Sequence, residues 1–320
     1  MKNRNKLHVV FGAGGLGQAV ARELTIQGKQ VRAVNRHGKA DVPASVKMVK
    51  ADGMDKQSTL TACKDAGVIY FCANADYTQW PTLFPPMVDN IIHTASQVGA
   101  KLVYADNLYM YGSVEGPIHE DLPWDAQTVK GKLRADMAAK ILDAHNSGKL
   151  SATIARASDF YGPGVLNAGL AERVFGAALM DKAADVIGNP DMPHTFTYIR
   201  DFARALIILG EHEEALGEVW HVPSAPTVTI RHMLEMIYHE TGFPTRFRTA
   251  GKTMVGLISL FNPMMREIKE MMYQFERPFI VDHSKFVHMF GDISTAHRVA
   301  IRETLAWFHQ QERLKLRQAA

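Results

Sequence analysis

The stretch at residues 7–36, LHVVFGAGGLGQAVARELTIQGKQVRAVNR, constrains the fold more than any other part of the chain. A short apolar run, residues 7–11, leads into the glycine-rich segment GAGGLG, and apolar residues then recur at helical spacing through Leu16, Val20 and Leu24. A second apolar run follows at residues 31–34. Strand, glycine turn, helix and strand in this order favour a βαβ unit that binds a dinucleotide.

The glycines of this turn have distinct tasks in such a unit. One permits the tight turn, one lets the backbone approach a pyrophosphate, and one lets the helix pack closely on the strand. The free N–H groups at the start of the helix then face the phosphates. A glycine turn that binds nothing is the alternative, and the flanking strands weigh against it. The predicted phosphate cradle consists of Gly12, Gly14, Gly15, Leu16 and Gly17.

The end of the second strand predicts which dinucleotide binds. An NAD site usually has Asp or Glu here to accept hydrogen bonds from the ribose 2′-hydroxyl, whereas this chain has Asn35-Arg36. Asn35 leaves room for a 2′-phosphate, and Arg36, with His37 and Lys39 nearby, supplies positive charge. The pattern predicts NADP(H) as the preferred cofactor and leaves NAD(H) open. The alternative is that Arg36 is only a solvated surface charge.

Composition narrows the class of protein. At 320 residues and 47% hydrophobic content, the chain can bury a large core without disulfides or metals. Cys63 and Cys72 have no neighbouring Cys-x-x-Cys or His cluster, which predicts a reducing compartment and no metal site. The apolar run after the basic MKNRNK is too short for a signal peptide, and nothing approaches a membrane span. A net charge of +3 without a basic stripe argues against nucleic acid, so we expect a cytoplasmic protein with a small-molecule substrate.

Strand-like and helical runs continue to alternate, which is typical of a doubly wound parallel sheet. Ligands bind beyond the carboxyl ends of such strands, so Asp52, Asn74 and the polar, aromatic stretch from Asn107 to Tyr111 are expected at the site. Further strands are predicted at residues 46–49, 68–73, 101–105 and 151–155, and helices at 83–98, with Pro85 and Pro86 in its first turn, and at 126–146.

After Gly164 the alternation loosens, and short elements are predicted at residues 196–199, 201–210 and 218–222, followed by a helix capped by Thr229. Residues 252–276 are rich in methionine and interrupted by Asn262-Pro263. They favour two short helices that cover a pocket or pack on the core over a membrane-surface helix. A last helix is predicted at about 295–313.

With these residues in view, the chain resembles the extended short-chain dehydrogenases/reductases, the family of nucleoside-diphosphate-sugar epimerases and dehydratases. The matching segments are Gly12 to Gly17, Phe71-Cys72-Ala73-Asn74-Ala75 at the fourth-strand exit, Tyr111-Gly112, Phe160-Tyr161-Gly162-Pro163-Gly164, and Phe196-Thr197-Tyr198-Ile199-Arg200-Asp201. The resemblance implies that Cys72, Ala73 and Asn74 help to bind the cofactor. It also implies a substrate region that includes Asn74, Tyr109, Asp159, Phe160 and Tyr161.

The resemblance also implies an α/β fold, a Rossmann-type doubly wound parallel sheet with a smaller, discontinuous C-terminal α/β substrate domain. We assign residues 1–164, with contributions from about 194–225, to the NADP-binding domain, and residues 165–193 and 226–320 to the substrate domain. Members of the family commonly dimerise through two helices, which correspond here to residues 83–98 and 126–146.

The catalytic residues depart from the family pattern. The Ser or Thr expected four residues before Tyr111 is Asn107, and Lys130-Gly131-Lys132-Leu133-Arg134 stands where the family has Tyr-x-x-x-Lys. This Lys-x-Lys-x-Arg segment resembles the isoflavone- and phenylpropanoid-reductase group, in which a helix lysine does acid/base work with NADPH. Desolvation and the nearby Arg134 would favour proton release from Lys130, and Asn107 would donate a hydrogen bond to a developing oxyanion. The alternative is that Lys130 and Arg134 only clamp the nicotinamide ribose and the phosphates.

Three functions follow from these residues. The first is an NADP(H)-dependent oxidoreductase acting on a small carbonyl or hydroxyl compound, with Lys130, Asn107, Arg134 and Tyr109 as catalytic candidates. The second is a cofactor-sensing or partner-binding protein that has kept the dinucleotide site and lost turnover. The third is a nucleotide-sugar epimerase, which the missing tyrosine disfavours.

Overall fold

The structure, a computed structural model, describes residues 6–166 and 168–319, with side chains up to residue 314. Residues 1–5, which the signal-peptide argument used, lie outside the described residues. The strands of the described chain are β1 (Leu7–Phe11), β2 (Gln30–Asn35), β3 (Lys47–Lys50), β4 (Ala66–Phe71), β5 (Lys101–Asp106), β6 (Ala152–Arg156), β7 (Asp159–Tyr161), β8 (Ala184–Ile187), β9 (Pro193–His194), β10 (Phe196–Tyr198), β11 (Val219–His221), β12 (Val228–Thr229) and β13 (Phe247–Ala250).

Helices alternate with these strands in the first half of the chain and dominate its end. They are α1 (Gly15–Ile26), α2 (Lys56–Ala62), α3 (Trp80–Val98), α4 (Val129–Asn146), α5 (Ala177–Leu179), α6 (Ile199–Glu211), α7 (Ile230–Thr241), α8 (Lys252–Ile258), α9 (Pro263–Glu270), α10 (Tyr273–Glu276), α11 (Ser284–Phe290) and α12 (His297–Ala319). Short 3-10 turns lie at Tyr77–Gln79, Tyr109–Tyr111 and Glu213–Ala215, and a π-helical turn at Ala171–Gly176 leads into α5.

Seven strands form one sheet in the order β11-β6-β5-β4-β1-β2-β3, and every neighbouring pair is parallel. The strand order reverses direction between β1 and β4, and in open α/β sheets this switch point opens a crevice at the carboxyl ends of the strands. The predicted α/β doubly wound fold is therefore confirmed.

Both faces of the sheet are covered. Val10 of β1 belongs to the apolar cluster shared with α1 and α6, whereas its neighbour Val9 belongs to the cluster shared with α3 and α4. Consecutive residues of a strand point to opposite faces, so a strand buried on both sides reads as a continuous apolar run. That is why the strands were visible in the sequence.

Several predicted boundaries were wrong by a few residues. The helix expected at 126–146 begins at Val129, because the Thr128 side chain accepts a hydrogen bond from the Gly131 N–H and caps the helix there. The helix expected at 83–98 begins at Trp80, so Pro85 and Pro86 lie inside it and not in its first turn. Residues 252–276 form three short helices, α8, α9 and α10, where two were expected.

The later part of the chain contributes to the sheet and also forms smaller strand pairs. Strand β11 pairs with β6 at the sheet edge, and α6 packs on α1. Outside the sheet, β7 pairs with β10, β9 with β12 and β8 with β13. The proposed domain boundaries stay a prediction. No described helix is both long and apolar enough to cross a bilayer.

Candidate functional site

The glycine turn between β1 and α1 has the shape of a phosphate cradle. Gly12 has a φ of +103°, and a Cβ there would lie 2.3 Å from the Ala73 nitrogen; a Cβ at Gly17 would lie 1.8 Å from the Gly12 oxygen. A Cβ at Gly14, by contrast, meets nothing within 4 Å. Gly14 also caps α1 without any side-chain hydrogen bond, so the first N–H groups of the helix lack a protein side-chain cap. The cradle is thus tightly packed at Gly12 and Gly17 and open at Gly14, which leaves room for a diphosphate.

A second glycine loop closes one side of the cradle. A Cβ on Gly15 would lie 2.6 Å from the carbonyl oxygen of Gly164, so the loop after β7 touches the start of α1. Leu16 is buried and packs into the core, leaving only its backbone for a ligand. The two glycine segments predicted from the sequence therefore meet at one end of the sheet.

The ribose end of the site is organised by Asn35. Its side-chain oxygen accepts hydrogen bonds from the N–H groups of His37 and Gly38, at 3.0 and 2.7 Å, and its amide donates to the Lys39 carbonyl at 2.8 Å. Asn35 thus shapes the turn that presents Arg36. Among the described residues, Arg36 is exposed and has no hydrogen-bond or ion-pair partner. An unpaired guanidinium at this point is available to a phosphate.

The exits of β3 and β4 form the neighbouring wall. Asp52 is exposed, and its side chain accepts a hydrogen bond from the Met54 N–H at 3.0 Å. The Cys72 thiol is buried, which raises its pKa well above the usual range, so this cysteine is a packing group and not a nucleophile. The Ala73 backbone lies against Gly12, and Asn74 is exposed.

Asn107, at the exit of β5, is half-buried and uses part of its hydrogen-bonding capacity within the protein. Its side-chain oxygen accepts a hydrogen bond from the Tyr109 N–H at 3.1 Å. Within the described chain its amide nitrogen has no protein acceptor, so this N–H₂ group can still donate to a ligand. The predicted role of Asn107 as a donor is compatible with this geometry and stays a prediction.

Lys130 lies under α9. The residue is 2% exposed, and its ammonium contacts the carboxylates of Glu267 and Glu270, the latter at 3.2 Å. Its backbone N–H also donates to Glu270 at 2.9 Å. The charged groups that contact the Lys130 ammonium are therefore carboxylates, whereas the sequence led us to expect a neighbouring cation, Arg134.

Arg134 pairs with a different carboxylate, that of Asp106. Its guanidinium donates to Asp106 and to the Tyr104 hydroxyl, both at 3.3 Å, and lies 4.2 Å from the centre of the Trp80 ring. Asp106 is fully buried, and burial raises its pKa while the guanidiniums of Arg134 and Arg156 oppose that rise. A cation engaged in this way acts as a structural partner of Asp106 in the described structure.

Tyr109 forms a hydroxyl pair that the sequence did not reveal. Its hydroxyl lies 2.7 Å from that of Tyr77, and the Lys130 ammonium lies 5.3 Å from the centre of the Tyr77 ring. Burial raises the pKa of both tyrosines, and the nearby Asp159 charge adds to the effect. The Tyr273 hydroxyl, from α10, is buried without a protein hydrogen-bond partner in the described chain. Burial and the same Asp159 charge raise its pKa as well. These phenols are protonated at neutral pH and are donors, not bases.

The three predicted substrate residues of β7 have different surroundings. Asp159 faces the tyrosines and pairs with His194, Nε2 to Oδ2 at 3.0 Å. Phe160 is half-buried against Phe202. Tyr161 is 2% exposed and stacks on Phe175 in the core, away from solvent. Strand alternation places Phe160 on the opposite face from Asp159 and Tyr161. Asp159 and Tyr161 share a face but contact different partners, His194 and Phe175.

A buried polar network supports the site from behind. Arg156 donates to the Tyr111 hydroxyl at 2.7 Å, and His221 Nε2 lies 2.9 Å from the same hydroxyl. His221 Nδ1 lies 2.8 Å from the Asp282 carbonyl oxygen, and burial lowers the pKa of this histidine to about 3. The histidine is therefore neutral at physiological pH and fixes Tyr111 in place.

Sequence reasoning missed Glu267, Glu270, Tyr77 and Tyr273. The two glutamates are three residues apart and so share one face of α9, which was the only signal in the sequence for a carboxylate pair. No group of three or more His, Cys, Asp or Glu residues within the described ranges is arranged to hold a metal ion.

Known proteins resemble the chain in both sequence and fold. Residues 8–222 match the model of the NAD dependent epimerase/dehydratase family. A dTDP-6-deoxy-L-talose 4-dehydrogenase (NAD(P)(+)) of Kitasatospora kifunensis is 24% identical over 261 residues, which is 75% of this chain and 80% of that protein.

Solved structures share the fold. An epimerase from Methanothermobacter thermautotrophicus superposes with a TM-score of 0.82 at 17% identity, covering 97% of this chain and 94% of that one. The UDP-glucose 4-epimerase of Thermus thermophilus, solved with NAD, gives a TM-score of 0.78 at 18% identity, covering 95% of this chain and 99% of that one.

Proposed function

The chain belongs to the NAD-dependent epimerase/dehydratase family, and we propose that it is an NADP(H)-dependent oxidoreductase acting on the carbonyl or hydroxyl group of a small molecule. The observation that carries the proposal is the glycine cradle, open at Gly14, together with the unpaired Arg36 at the end of β2. The dTDP-6-deoxy-L-talose relative adds support, because its name describes a dehydrogenase that uses NAD(P)(+).

The residues of the cradle fit a dinucleotide. The N–H groups at the start of α1 and the glycines before it would hold the diphosphate, Arg36 the 2′-phosphate, and Asp52 the adenosine side. When bound, such a cofactor supplies or accepts hydride. The residues of the fourth-strand exit, from Cys72 to Asn74, would border the nicotinamide half.

The protein itself must supply the proton that accompanies hydride transfer. Lys130 is our first candidate, because it takes the place of the family's tyrosine and contacts two partly exposed carboxylates that can pass a proton to it. Asn107 would stabilise the developing oxyanion with its free amide hydrogens. Tyr109, paired with Tyr77, is the second candidate donor.

Cofactor choice is the direct test. Calorimetry should show NADPH binding more tightly than NADH by about 1 to 3 kcal/mol, the range for charge-assisted hydrogen bonds to a phosphate. Arg36→Ala should remove most of that difference, whereas Arg173→Ala, which removes an exposed arginine elsewhere, should not. Equal affinities in the unmodified protein would refute the NADP(H) assignment.

Two other functions remain in competition, each with its own observation. The engagement of Lys130 with Glu267 and Glu270 favours a non-catalytic sensor, which would bind NADPH and never consume it. The fold shared with known epimerases favours a nucleotide-sugar epimerase. An epimerase retains its cofactor through the cycle, whereas a reductase exchanges it. Release of labelled cofactor during turnover over a panel of carbonyl compounds and nucleotide sugars separates the three.

We further propose a homodimer through α3 and α4, which already pack on each other within one chain and are joined by the Lys140–Asp89 ion pair at 2.8 Å. Sedimentation analysis with a charge-reversed exposed residue on α4 tests it. The cytoplasmic location and the likeness to isoflavone reductases also stay predictions.

A further inference from the structure

The hairpin formed by α8 and α9 exposes six large apolar side chains, which we call the apolar tip. Their exposed fractions run from 39% to 90%, and they are Met254, Leu257, Ile258, Leu260, Phe261 and Met264. Phe261, in the turn before Asn262-Pro263, is 90% exposed. The two helices pack on each other, so the six side chains are brought together on one hairpin. Monomeric soluble proteins seldom leave such a surface uncovered.

Charges on this hairpin are sorted by side. The cations Lys252, Arg266 and Lys269 are exposed and have no ion-pair partner in the described chain. The acids of the same segment, Glu267 and Glu270, turn inward and bind Lys130. The exposed charges of the hairpin are therefore positive, and they accompany its exposed apolar side chains.

This lack of partners sets the hairpin apart from much of the surface around it. Five surface arginines elsewhere in the C-terminal half each have a carboxylate within 3.5 Å: Arg231 with Asp191, Arg246 with Asp181, Arg248 with Asp185, and Arg298 and Arg302 with Glu240. The cations of the hairpin lack such neighbours, so they are free to contact an anion from outside the chain.

The cations of α9 lie close to the exposed turn. With a rise of about 1.5 Å per residue, Arg266 and Lys269 lie about 4.5 and 9 Å along the helix axis from Pro263. Amphipathic helices at a membrane surface bury their apolar face about 5 to 10 Å into the boundary between headgroups and acyl chains. Cations within this distance of an inserted turn at Phe261 are within reach of the headgroups around it.

We propose that the apolar tip inserts into the surface of an anionic lipid bilayer, with Lys252, Arg266 and Lys269 contacting the headgroups. Anionic lipids attract clustered cations near the surface, and the apolar side chains add the burial that holds them there. The membrane-surface alternative, which the sequence pattern disfavoured, gains from the exposure of one side of the hairpin. The proposal goes beyond the oxidoreductase function and does not depend on it.

Vesicle co-sedimentation tests the proposal without any substrate. The full chain should sediment with vesicles of phosphatidylcholine and phosphatidylglycerol, bind pure phosphatidylcholine vesicles more weakly, and lose binding as salt is raised. Leu260→Asp/Phe261→Asp should weaken binding by about tenfold or more. Ile26→Asp, which introduces an acid at another exposed apolar position, should bind like the unmodified chain.

A variant that adds a fluorescence signal keeps the proposal testable if the double variant misfolds. Phe261→Trp should show blue-shifted emission and quenching by brominated lipids, over the background of the four native tryptophans measured in the unmodified chain. No binding to anionic vesicles, or unchanged binding by the double variant, overturns the proposal. Concentration-dependent self-association that the double variant abolishes, without vesicle binding, also overturns it and assigns the tip to a contact between copies.

Discussion

Lys130→Ala tests the mechanism most directly. If Lys130 delivers the proton, its removal should lower kcat by a factor of about 10² to 10⁴, the range for loss of a positioned proton donor. NADPH affinity should change little, because the cradle and Arg36 lie elsewhere. The assay is NADPH oxidation over a panel of carbonyl compounds. Lys132→Ala is the matched control, since Lys132 is on the same helix and exposed.

The effect on stability can be worked out from the contacts of Lys130. The side chains of Glu267 and Glu270 are 28% and 22% exposed, so both carboxylates regain water when the ammonium is removed. We therefore expect Lys130→Ala to lower the free energy of unfolding by less than the roughly 3 to 5 kcal/mol typical of a broken buried pair. Glu267→Gln/Glu270→Gln instead leaves a lysine side chain that is only 3% exposed without a countercharge. That variant should either lose about 3 to 5 kcal/mol or release α9, which hydrogen exchange over residues 263–270 would detect.

Lys130→Arg separates a proton donor from a clamp. Arginine keeps the charge and can contact both glutamates, so the fold and α9 should be preserved. A guanidinium does not release its proton at working pH, so activity should fall nearly as far as in Lys130→Ala. Full activity in Lys130→Arg, combined with weaker NADPH binding in Lys130→Ala, would refute the reasoning. Tyr109 would then become the donor to test.

Three further predictions concern the cradle, the tyrosine pair and pH. Gly14→Val should abolish NADPH binding, measured by calorimetry, with an unchanged melting curve, because its Cβ meets open space and its φ of −77° is allowed for valine. Tyr109→Phe, which loses the hydrogen bond to Tyr77, should lower kcat less than Lys130→Ala does. A larger loss would identify Tyr109 as the proton donor. His221 has a pKa lowered to about 3 by burial. The unfolded chain therefore binds the extra proton, and urea titrations should show that His221 removes about 2 kcal/mol of stability as pH falls from 7 to 5, a loss absent in His221→Asn.

The fold was predictable because its signals are local. The inner strands β1, β4, β5 and β6 are buried on both faces and so appear as apolar runs, and the glycine turn after β1 fixes where the first helix begins. The boundaries that failed depend on single contacts. Helix α4 begins three residues later than the apolar pattern indicates, because Thr128 caps it. The pattern does not show which side chain accepts a hydrogen bond from the first N–H groups of the helix.

The surroundings of Lys130 depend on residues that are far apart in the chain. Its carboxylate partners lie 137 and 140 residues away, on a helix that the sequence predicted only to cover a pocket or to pack on the core. Burial of a lysine in place of the family's tyrosine requires a countercharge, so a paired carboxylate was foreseeable in principle. With 33 acidic residues in the chain, however, no sequence pattern singles out the two that pair with it.

The same reasoning explains why Arg134 departs from its expected role. Where the family has a lysine, this chain has an arginine, and Asp106 at the end of β5 lies 3.3 Å from it. The two substituted positions on α4 thus each have a carboxylate partner, Asp106 from the sheet and Glu267 with Glu270 from α9. Asp106 is fully buried and fixed by two arginines, whereas the glutamates are partly exposed and sit on a short helix. We therefore expect the pair formed with α9 to be the one that opens, and we propose that a substrate reaches Lys130 when it does.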